Sequence, residues 1–310
     1  IMENLAARLQ LKDFRLILAI EKTGQLALAA EMLAITQPAA SRLLAGIEKA
    51  VGARVFERHP KGMTPTAVGQ VLARNAATLL HEMDRAIHEV EEIRSGRAGT
   101  VRVGSVTGGA VAFVVPAIQK LKQEAVGADI RVDVDPSVTL IEGLMRGDYD
   151  FVLSRIPPGV DARQFNVRRG RVEVIRFLCG ADHPLAGRSG LALKDLEGYE
   201  WVVQSPLMPI RQAVEDAFVN AQVPLPQEIV NTTSLLVMIA YLKSTDAIAP
   251  TSREVVDLLA GQGEAGDLAT IDLDEPIIVH AYHLISMKNH TLNPLAVKLR
   301  DLVFGALSAG

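Results

Sequence analysis

The stretch that decides the fold of the amino-terminal region is TQPAASRLLAGIEKAVG, residues 36–52. Thr36 can cap a helix through its hydroxyl group, and Pro38 fits the first helical turn, where its missing N–H costs nothing. Gly52 is suited to the position just after a helix ends. Apolar residues between these points recur at helical spacing, so the stretch predicts one amphipathic helix.

Two shorter helices are predicted before this segment and one hairpin after it. LKDFRLILAIEKTG (11–24) and LALAAEML (26–33) have helical apolar spacing, and the small pair Ala29-Ala30 allows two helices to cross closely. RVFERHPKGMTPT (54–66) has apolar residues on both sides of a Pro-Lys-Gly turn, as in a short β-hairpin. Three helices followed by a basic β-ribbon form a winged helix-turn-helix pattern.

The first turns of the third helix carry side chains that can read DNA bases. Gln37 can pair with adenine, Arg42 with guanine, and Ser41 with a base or a phosphate. Basic side chains of the hairpin, His59 among them, would reach the flanking phosphates, which set affinity and register. The candidate DNA-binding residues are Thr36, Gln37, Pro38, Ser41, Arg42, Arg54, Arg58 and Lys61. The alternative is an ordinary helical hairpin with a solvated polar face.

The distribution of charge agrees with a DNA-binding front segment. The 310 residues carry a net charge of −4, which argues against a protein whose whole surface binds nucleic acid. Residues 1–66, however, hold nine Lys and Arg against six Asp and Glu, or +3, and the remaining 244 residues therefore carry −7. The basic charge lies in the predicted winged domain.

The rest of the chain predicts a long helix and then two α/β lobes. Between Thr66 and Arg94 there is no proline and apolar residues recur about every 3.6 positions, which gives a helix about 43 Å long that would pair with a second copy of itself. After the hinge SGRAGT (95–100), strands alternate with helices, as in βαβ units on a parallel sheet. Connections near residues 170 and 277 would link the lobes, with a ligand cleft between them.

This reading divides the chain into three parts. They are a winged helix-turn-helix domain at 1–66, a linker helix at 67–95, and an effector domain at 96–310 whose lobes comprise about 100–170 with 278–310, and about 171–277. The fold class is therefore multidomain, α-rich at the front and α/β behind.

Candidate ligand residues follow predicted strands or precede predicted helices, where helix amino termini favour anions. They are Ser105, Thr107, Gly108, Ser137, Ser154, Arg155, Ser205, Arg211, Thr232 and Thr233. Hydroxyl groups at helix starts can also be simple caps. Arg155 and Arg211 could fork onto a carboxylate, or could form salt bridges within the chain.

Several motifs together resemble a known family, the LysR-type transcriptional regulators. The matching residues are Ala29-Ala30, Thr36-Gln37-Pro38-Ala39, Ser41, Ile47-Glu48, Gly52, Val55-Phe56-Glu57-Arg58, Thr64-Pro65-Thr66-Ala67-Val68-Gly69, His183-Pro184-Leu185-Ala186 and Ala249-Pro250. The chain departs from the family in Gln25-Leu26-Ala27-Leu28, where a Ser and an aromatic residue are usual. In layout, the resemblance covers nearly all of the sequence and implies an effector domain similar to periplasmic binding proteins.

The resemblance also implies the partners. Such proteins are homodimers through the linker helix, assemble into tetramers, bind double-stranded promoter DNA and a small-molecule effector, and contact RNA polymerase. Ser-Arg after a strand and Pro-Ile-Arg in the second lobe are similar to a subgroup that includes regulators of protocatechuate catabolism and of a galactose-binding protein. The expected effector is thus a small carboxylate or a sugar-derived acid, bound so that tetramer arrangement and DNA bending change.

Other classes fit the sequence less well. Motifs of nucleophile elbows, P-loops and dinucleotide-binding turns do not occur, so no enzyme activity and no cofactor are expected. His280 and His283 would point to opposite faces of a strand, so no metal site is expected. A single cysteine and the lack of a signal peptide or an apolar stretch favour a cytoplasmic protein away from membranes. The alternatives are a two-lobed solute-binding protein or an α/β enzyme without DNA binding.

Overall fold

The structure is a computed structural model that describes residues 9–95, 99–260 and 267–309. The chain forms two compact units, residues 1–97 with 145–148 and residues 98–144 with 149–310. Of the predicted hinge at 95–100, residues 96–98 lie outside the described residues. None of the described helices combines the length and the apolar character needed to span a membrane.

The first unit contains the three predicted helices, the hairpin and the long helix. The elements are α1 (Leu11–Thr23), α2 (Leu26–Met32), α3 (Gln37–Val51), β1 (Phe56–His59), β2 (Gly62–Pro65) and α4 (Ala67–Ser95). β1 and β2 pair antiparallel, with His59 opposite Gly62. A shared core of buried apolar side chains joins α1, α2, α3 and the hairpin, and Ala29 and Ala30 are buried where the helices approach.

The ends of α3 lie where the local chemistry predicts them. The Thr36 hydroxyl accepts a hydrogen bond from the backbone N–H of Ala39 at 3.3 Å. Gly52 ends the helix in the left-handed conformation, with φ of 75°, which glycine adopts without steric cost. Because both signals are local in sequence, the helix could be placed without knowledge of its tertiary packing.

The second unit contains nine strands and six labelled helices within the described residues. The elements are β3 (Thr100–Ser105), α5 (Val115–Glu124), β4 (Asp129–Val134), α6 (Ser137–Arg146), β5 (Phe151–Ser154), β6 (Phe165–Gly180), β7 (Trp201–Val203), α7 (Pro209–Asn220), β8 (Ile229–Asn231), α8 (Leu235–Leu242), β9 (Ala249–Ser252), α9 (Arg253–Ala260), β10 (Leu268–Ile271), β11 (Ile277–Met287) and α10 (Pro294–Ser308). Before α5, a helical turn at Thr107–Gly109 runs into a π-helical segment at Ala110–Val114.

The main sheet of this unit is mixed, so the expectation of a parallel sheet is wrong in part. β3 lies parallel to both β4 and β5. β11 instead pairs antiparallel with β5 and β6, and β6 pairs antiparallel with β9 and β10. The reason is that β6 and β11 are the two long connections between the lobes and run in opposite directions. They therefore form an antiparallel ladder, which βαβ reasoning does not predict.

Each lobe has its own core. In lobe I, defined by β3, β4, β5, α5, α6 and α10, buried apolar side chains of the strands pack against α5 and α10. In lobe II, defined by β7, β8, β9, α7, α8 and α9, Trp201 lies between Phe177 and Phe218. Its ring meets theirs edge-on, with centroids 5.7 and 5.4 Å apart. Two cores joined by two strands leave room for a ligand between the lobes.

Candidate functional site

The predicted base-reading residues lie at the start of α3. Its buried face is formed by Ala40, Leu44 and Ile47, which pack into the core of the first unit. Gln37 and Arg42 are exposed and Ser41 is half-buried at the edge of that face. Thr36 and Pro38 are exposed as well. The first two turns of the helix thus present polar side chains to solvent while its apolar stripe holds it in place.

The predicted phosphate-binding residues lie on and beside the hairpin. Arg54, Arg58, His59 and Lys61 are all exposed. Gly62, at the hairpin turn, has φ of 140°, and a Cβ atom there would lie 2.4 Å from the Gly24 carbonyl oxygen. This close approach fixes the hairpin against the end of α1. The basic side chains therefore stand on a rigid support rather than on a free loop.

The second unit contains a cavity of 1470 Å³ between its lobes. Lobe I lines it with the start of α6 and the end of β5, and lobe II lines it with the start and exposed side of α7. Residues of β11 form a further part of the wall. The lining includes Ser137, Arg155, Leu207, Met208, His280 and His283.

Arg155 is held in this wall by four contacts. Its backbone N–H donates to Ser137 Oγ at 3.3 Å, and its Nε donates to the carbonyl oxygen of His280 at 2.6 Å. Its Nη2 donates to Glu173 Oε2 at 2.6 Å. The guanidinium carbon lies 5.7 Å from the centre of the Tyr282 ring. With 14% of its side chain exposed, Arg155 is a fixed cation rather than a mobile surface arginine.

Ser154 and Ser137 connect the end of β5 to the start of α6. Ser154 Oγ is buried and lies within hydrogen-bonding distance of the carbonyl oxygens of Ser137, at 3.4 Å, and of Arg155, at 3.2 Å. Ser154 therefore faces the protein, whereas Ser137 reaches the cavity wall. The structure brings these three predicted residues together.

The other candidates in lobe I lie away from the lining of this cavity. Ser105 is buried and donates to the carbonyl oxygen of Val106 at 2.9 Å, while Thr107 is exposed. A Cβ atom on Gly108 would lie 2.8 Å from Ser252 Oγ and 3.1 Å from Glu173 Oε1. The side chains of Ser252 and Glu173 thus occupy the space beside Gly108 in which a ligand was expected.

The candidates in lobe II are also separate from the cavity lining. Arg211 donates to Glu215 Oε1 at 2.7 Å, to the Gln204 carbonyl oxygen at 3.1 Å, and to Asn231 Oδ1. It lines a second cavity of 140 Å³ with Trp201. Hydroxyl groups of the same lobe make turns, since Thr232 Oγ1 accepts from the Ser234 N–H at 3.1 Å. Ser205 and Thr233 likewise lie outside the lining of the large cavity.

Four residues of this region are not among the ligand candidates that the sequence predicts. Leu207 is 79% exposed at the cavity with a φ of 71°, a conformation that no sequence signal predicts for leucine. His280 and His283 both line the cavity because the register of β11 shifts on either side of Tyr282, which breaks the expected alternation. Glu173 lies between two valines, Val172 and Val174, and a carboxylate in that position was a signal in the sequence.

Burial dominates the electrostatics around Arg155. It raises the pKa of Glu173. The charge of Arg155 partly offsets this increase, and the charge of Glu254 adds to it. Burial also raises the pKa of Tyr282, with the charges of Glu254 and Glu173 acting in the same direction. The pKa of His283 is lowered, first by burial and then by the charge of Arg155. Burial therefore favours the neutral forms of Tyr282 and His283, while at Glu173 the charge of Arg155 acts against burial.

Comparison with known proteins gives the family. The model of the bacterial regulatory helix-turn-helix protein, lysR family, matches residues 11–70, and that of the LysR substrate binding domain matches residues 94–308. The transcriptional regulator GbpR of Rhizobium radiobacter is 35% identical over 81% of this chain and 84% of its own. PcaQ of Agrobacterium fabrum is 28% identical over 80% of each chain.

Solved structures show the same architecture. Full-length CbnR in complex with its target DNA has a TM-score of 0.65 and 17% identity, covering 96% of this chain and 100% of that one. At this identity the likeness shows the fold. Since the two family models cover most of the sequence, the chain belongs to the LysR family of transcriptional regulators, with a helix-turn-helix DNA-binding part and an effector-binding part.

Proposed function

We propose that this regulator responds to a small organic carboxylate bound in the cavity between the lobes of the effector part. The observation that carries the proposal is the placement of Arg155, a largely buried guanidinium in the wall of a 1470 Å³ cavity. Its Nη2 donates to Glu173 and its Nε to the His280 carbonyl oxygen, while Nη1 has no hydrogen-bond partner among the described residues. A carboxylate oxygen is the acceptor that suits such a donor.

Helix ends support an anionic ligand at the same place. α6 begins at Ser137 in the cavity wall, beside Arg155, and α7 begins at Pro209, also in the wall. The amino terminus of a helix carries partial positive charge and unpaired N–H groups. Asp216, Asp274 and Glu275 also line the cavity and would repel an anion, unlike the exposed Lys194. We place the carboxylate at Arg155 because this cation is largely buried and held in position.

The remaining wall is suited to the body of the ligand. Leu207 and Met208 at the start of α7 are apolar, as are Ile156, Pro157 and Pro158 just after Arg155. Leu207 holds a left-handed backbone conformation that costs a leucine about 1 kcal/mol or more. The side chain of Leu207 is exposed at the cavity in this conformation. An aromatic or alkyl carboxylate fits this surface, and a sugar-derived acid is the second candidate.

The same proposal includes assembly. On α4, four apolar side chains are about half exposed: Val71, Leu79, Ile87 and Val90. Exposed apolar side chains along a long helix are suited to pairing with α4 of a second copy. We propose a homodimer through α4 and a tetramer built from two such dimers, which acts in the cytoplasm on double-stranded promoter DNA and contacts RNA polymerase. In this scheme residues 1–66 bind DNA, residues 67–95 form the linker helix through which the dimer assembles, and residues 96–310 bind the effector.

Calorimetric titration of the full chain tests the effector class. The ligands are protocatechuate and D-galactonate, with their neutral counterparts protocatechuamide and D-galactose. We expect a carboxylate to bind and its neutral counterpart to fail. Arg155→Met should abolish binding, whereas Arg163→Met, on an exposed arginine paired with Asp161, should leave it unchanged. Binding of a neutral counterpart alone would contradict the proposal.

A gel-shift assay with the intergenic DNA beside the gene tests the DNA-binding residues. Gln37→Ala and Arg42→Ala should each weaken binding by about 1–3 kcal/mol, the worth of one bidentate base contact. Lys49→Ala removes a charge from the last turn of the same helix and should have a smaller effect. Equal losses in all three variants would contradict base reading at the start of α3.

A further inference from the structure

The partner of Arg155 inside the protein is itself a carboxylate. Glu173 accepts a hydrogen bond from Arg155 Nη2 at 2.6 Å, and only 4% of the Glu173 side chain is exposed. A ligand carboxylate at Arg155 would place a second negative charge next to Glu173. Two carboxylates that share one guanidinium repel each other, and a buried site screens this repulsion poorly.

Among the described residues, no cation other than Arg155 acts on Glu173 closely enough to compensate. The groups around it come from four elements. Arg155 approaches from the end of β5, Tyr282 from β11, and Glu254 from α9, while Ser252 of β9 lies on the same side of Gly108 as Glu173. On its own strand, Arg171 is turned to the ring of Phe113, with 5.9 Å between guanidinium carbon and ring centre. His283 lies near Arg155 but burial favours its neutral form.

Unpaired oxygen atoms in this cluster could share a proton. Ser252 Oγ, Tyr282 Oη and Glu254 Oε2 are buried and lack a hydrogen-bond partner among the described residues. Ser252 is 1% exposed, and its Oγ lies on the same side of Gly108 as Glu173 Oε1. A protonated carboxyl group is a hydrogen-bond donor and could use such acceptors, whereas a carboxylate could not.

We propose that Glu173 couples anion binding at Arg155 to protonation: when a carboxylate ligand binds Arg155, Glu173 takes up one proton from the solvent. The proposal rests on the proposed function and adds a regulator of the same site. Glu173 is a positioning residue for Arg155 in the free protein and an acid in the complex. Carboxylate ligands add negative charge and would cause Glu173 to take up the proton, whereas neutral ligands would not.

The sign of the effect follows from linkage. Ligand binding raises the pKa of Glu173 further, so the complex holds more protons than the free protein over the intervening pH range. The affinity for the carboxylate is therefore highest below the pKa that Glu173 has in the free protein. It falls as the pH rises from this pKa to the higher pKa that Glu173 has in the complex. For one proton, the dissociation constant rises by up to about tenfold per pH unit.

Calorimetry of the full chain tests the coupling directly. The probe is protocatechuate, or D-galactonate if that is the acid which binds, titrated at pH 6 in two buffers of different ionisation enthalpy. We expect the observed enthalpy to differ between buffers in proportion to proton uptake. We also expect affinity to fall between pH 5 and pH 8. Glu173→Gln should abolish both effects, whereas Glu215→Gln, at the Arg211 ion pair of lobe II, should preserve them.

The outcomes separate this inference from the proposed function. A carboxylate that binds with equal enthalpy in both buffers and with no pH dependence overturns the proton coupling and leaves the effector class intact. Binding of no carboxylate at all overturns both. Because the wild-type chain alone gives the proton count, failure of Glu173→Gln to fold would not rescue the proposal from a negative result.

Discussion

The carboxylate of Glu48 accepts a hydrogen bond from the backbone N–H of Val55 at 2.9 Å, which ties the last turn of α3 to the hairpin. The same oxygen lies 3.5 Å from the N–H of Phe56. Val55 and Phe56 are buried in the core of the first unit. One side chain thus links the predicted recognition helix to the segment that begins the basic hairpin.

Replacing Glu48 should therefore affect both stability and DNA binding. Glu48→Ala leaves the Val55 N–H unpaired in a buried place and should cost about 1–3 kcal/mol of unfolding free energy. Urea denaturation monitored by circular dichroism measures this loss. Glu57→Ala, on an exposed side chain of β1, is the control and should change stability by less than about 0.5 kcal/mol. Equal stabilities of the two variants would contradict the assigned contact.

Two glycines of the first unit should respond oppositely to alanine. A Cβ atom on Gly69 would lie 2.0 Å from the Val55 carbonyl oxygen, so Gly69→Ala must displace α4 or the hairpin. Gly46, inside α3, has open space around it, and alanine there should stabilise the helix by about 0.5–1 kcal/mol. Thermal unfolding should show a lower Tm for Gly69→Ala and a higher one for Gly46→Ala. The reverse order would contradict the described packing.

Removal of a phosphate contact should change the salt dependence of DNA binding. Arg58 and Lys61 are exposed on the hairpin, and each phosphate contact contributes about 0.9 to the slope of log affinity against log salt. Lys61→Ala should reduce that slope by about 1 and weaken binding to all sequences alike. Fluorescence anisotropy at several salt concentrations measures both. An unchanged slope would place Lys61 away from the phosphates.

Cys179 should be unreactive in the folded protein. It is fully buried on β6, and burial raises the pKa of its thiol to about 11. At pH 8 only about one thousandth of the thiol is ionised, against about a quarter in an unfolded chain. We expect slow modification by a disulfide reagent in buffer and rapid modification in guanidinium chloride. Rapid modification of the folded protein would contradict the burial of this strand.

The features that sequence predicts well are the ones encoded locally. Thr36 and Gly52 mark the ends of α3 because capping depends on neighbouring residues only. The sequence does not indicate that β6 begins at Phe165, because the first half of this strand is rich in arginine. Arg168 is placed there by long-range contacts, an ion pair of 3.0 Å with Asp301 and stacking on the Phe304 ring at 4.8 Å.

The candidate site shows the same division between local and distant information. Ser137, Ser154 and Arg155 follow from the rule that ligands lie where strands end and helices begin. The pairing of Arg155 with Glu173 depends instead on which strands become neighbours through β11. The exposure of Leu207 depends on a backbone conformation that leucine rarely adopts. The Arg155–Glu173 pair and the exposure of Leu207 both depend on the tertiary structure. The spacing of residues along the chain therefore could not predict them.

The measurement that tests the central claim most directly is a footprint on promoter DNA with and without a bound carboxylate. Wild type and Arg155→Met are compared under the same salt conditions. We predict that both proteins protect the DNA in the absence of ligand and that the carboxylate alters the footprint of wild type only. An Arg155→Met protein whose footprint changes with the carboxylate as wild type does, or a wild type that protects no promoter DNA, would contradict the account.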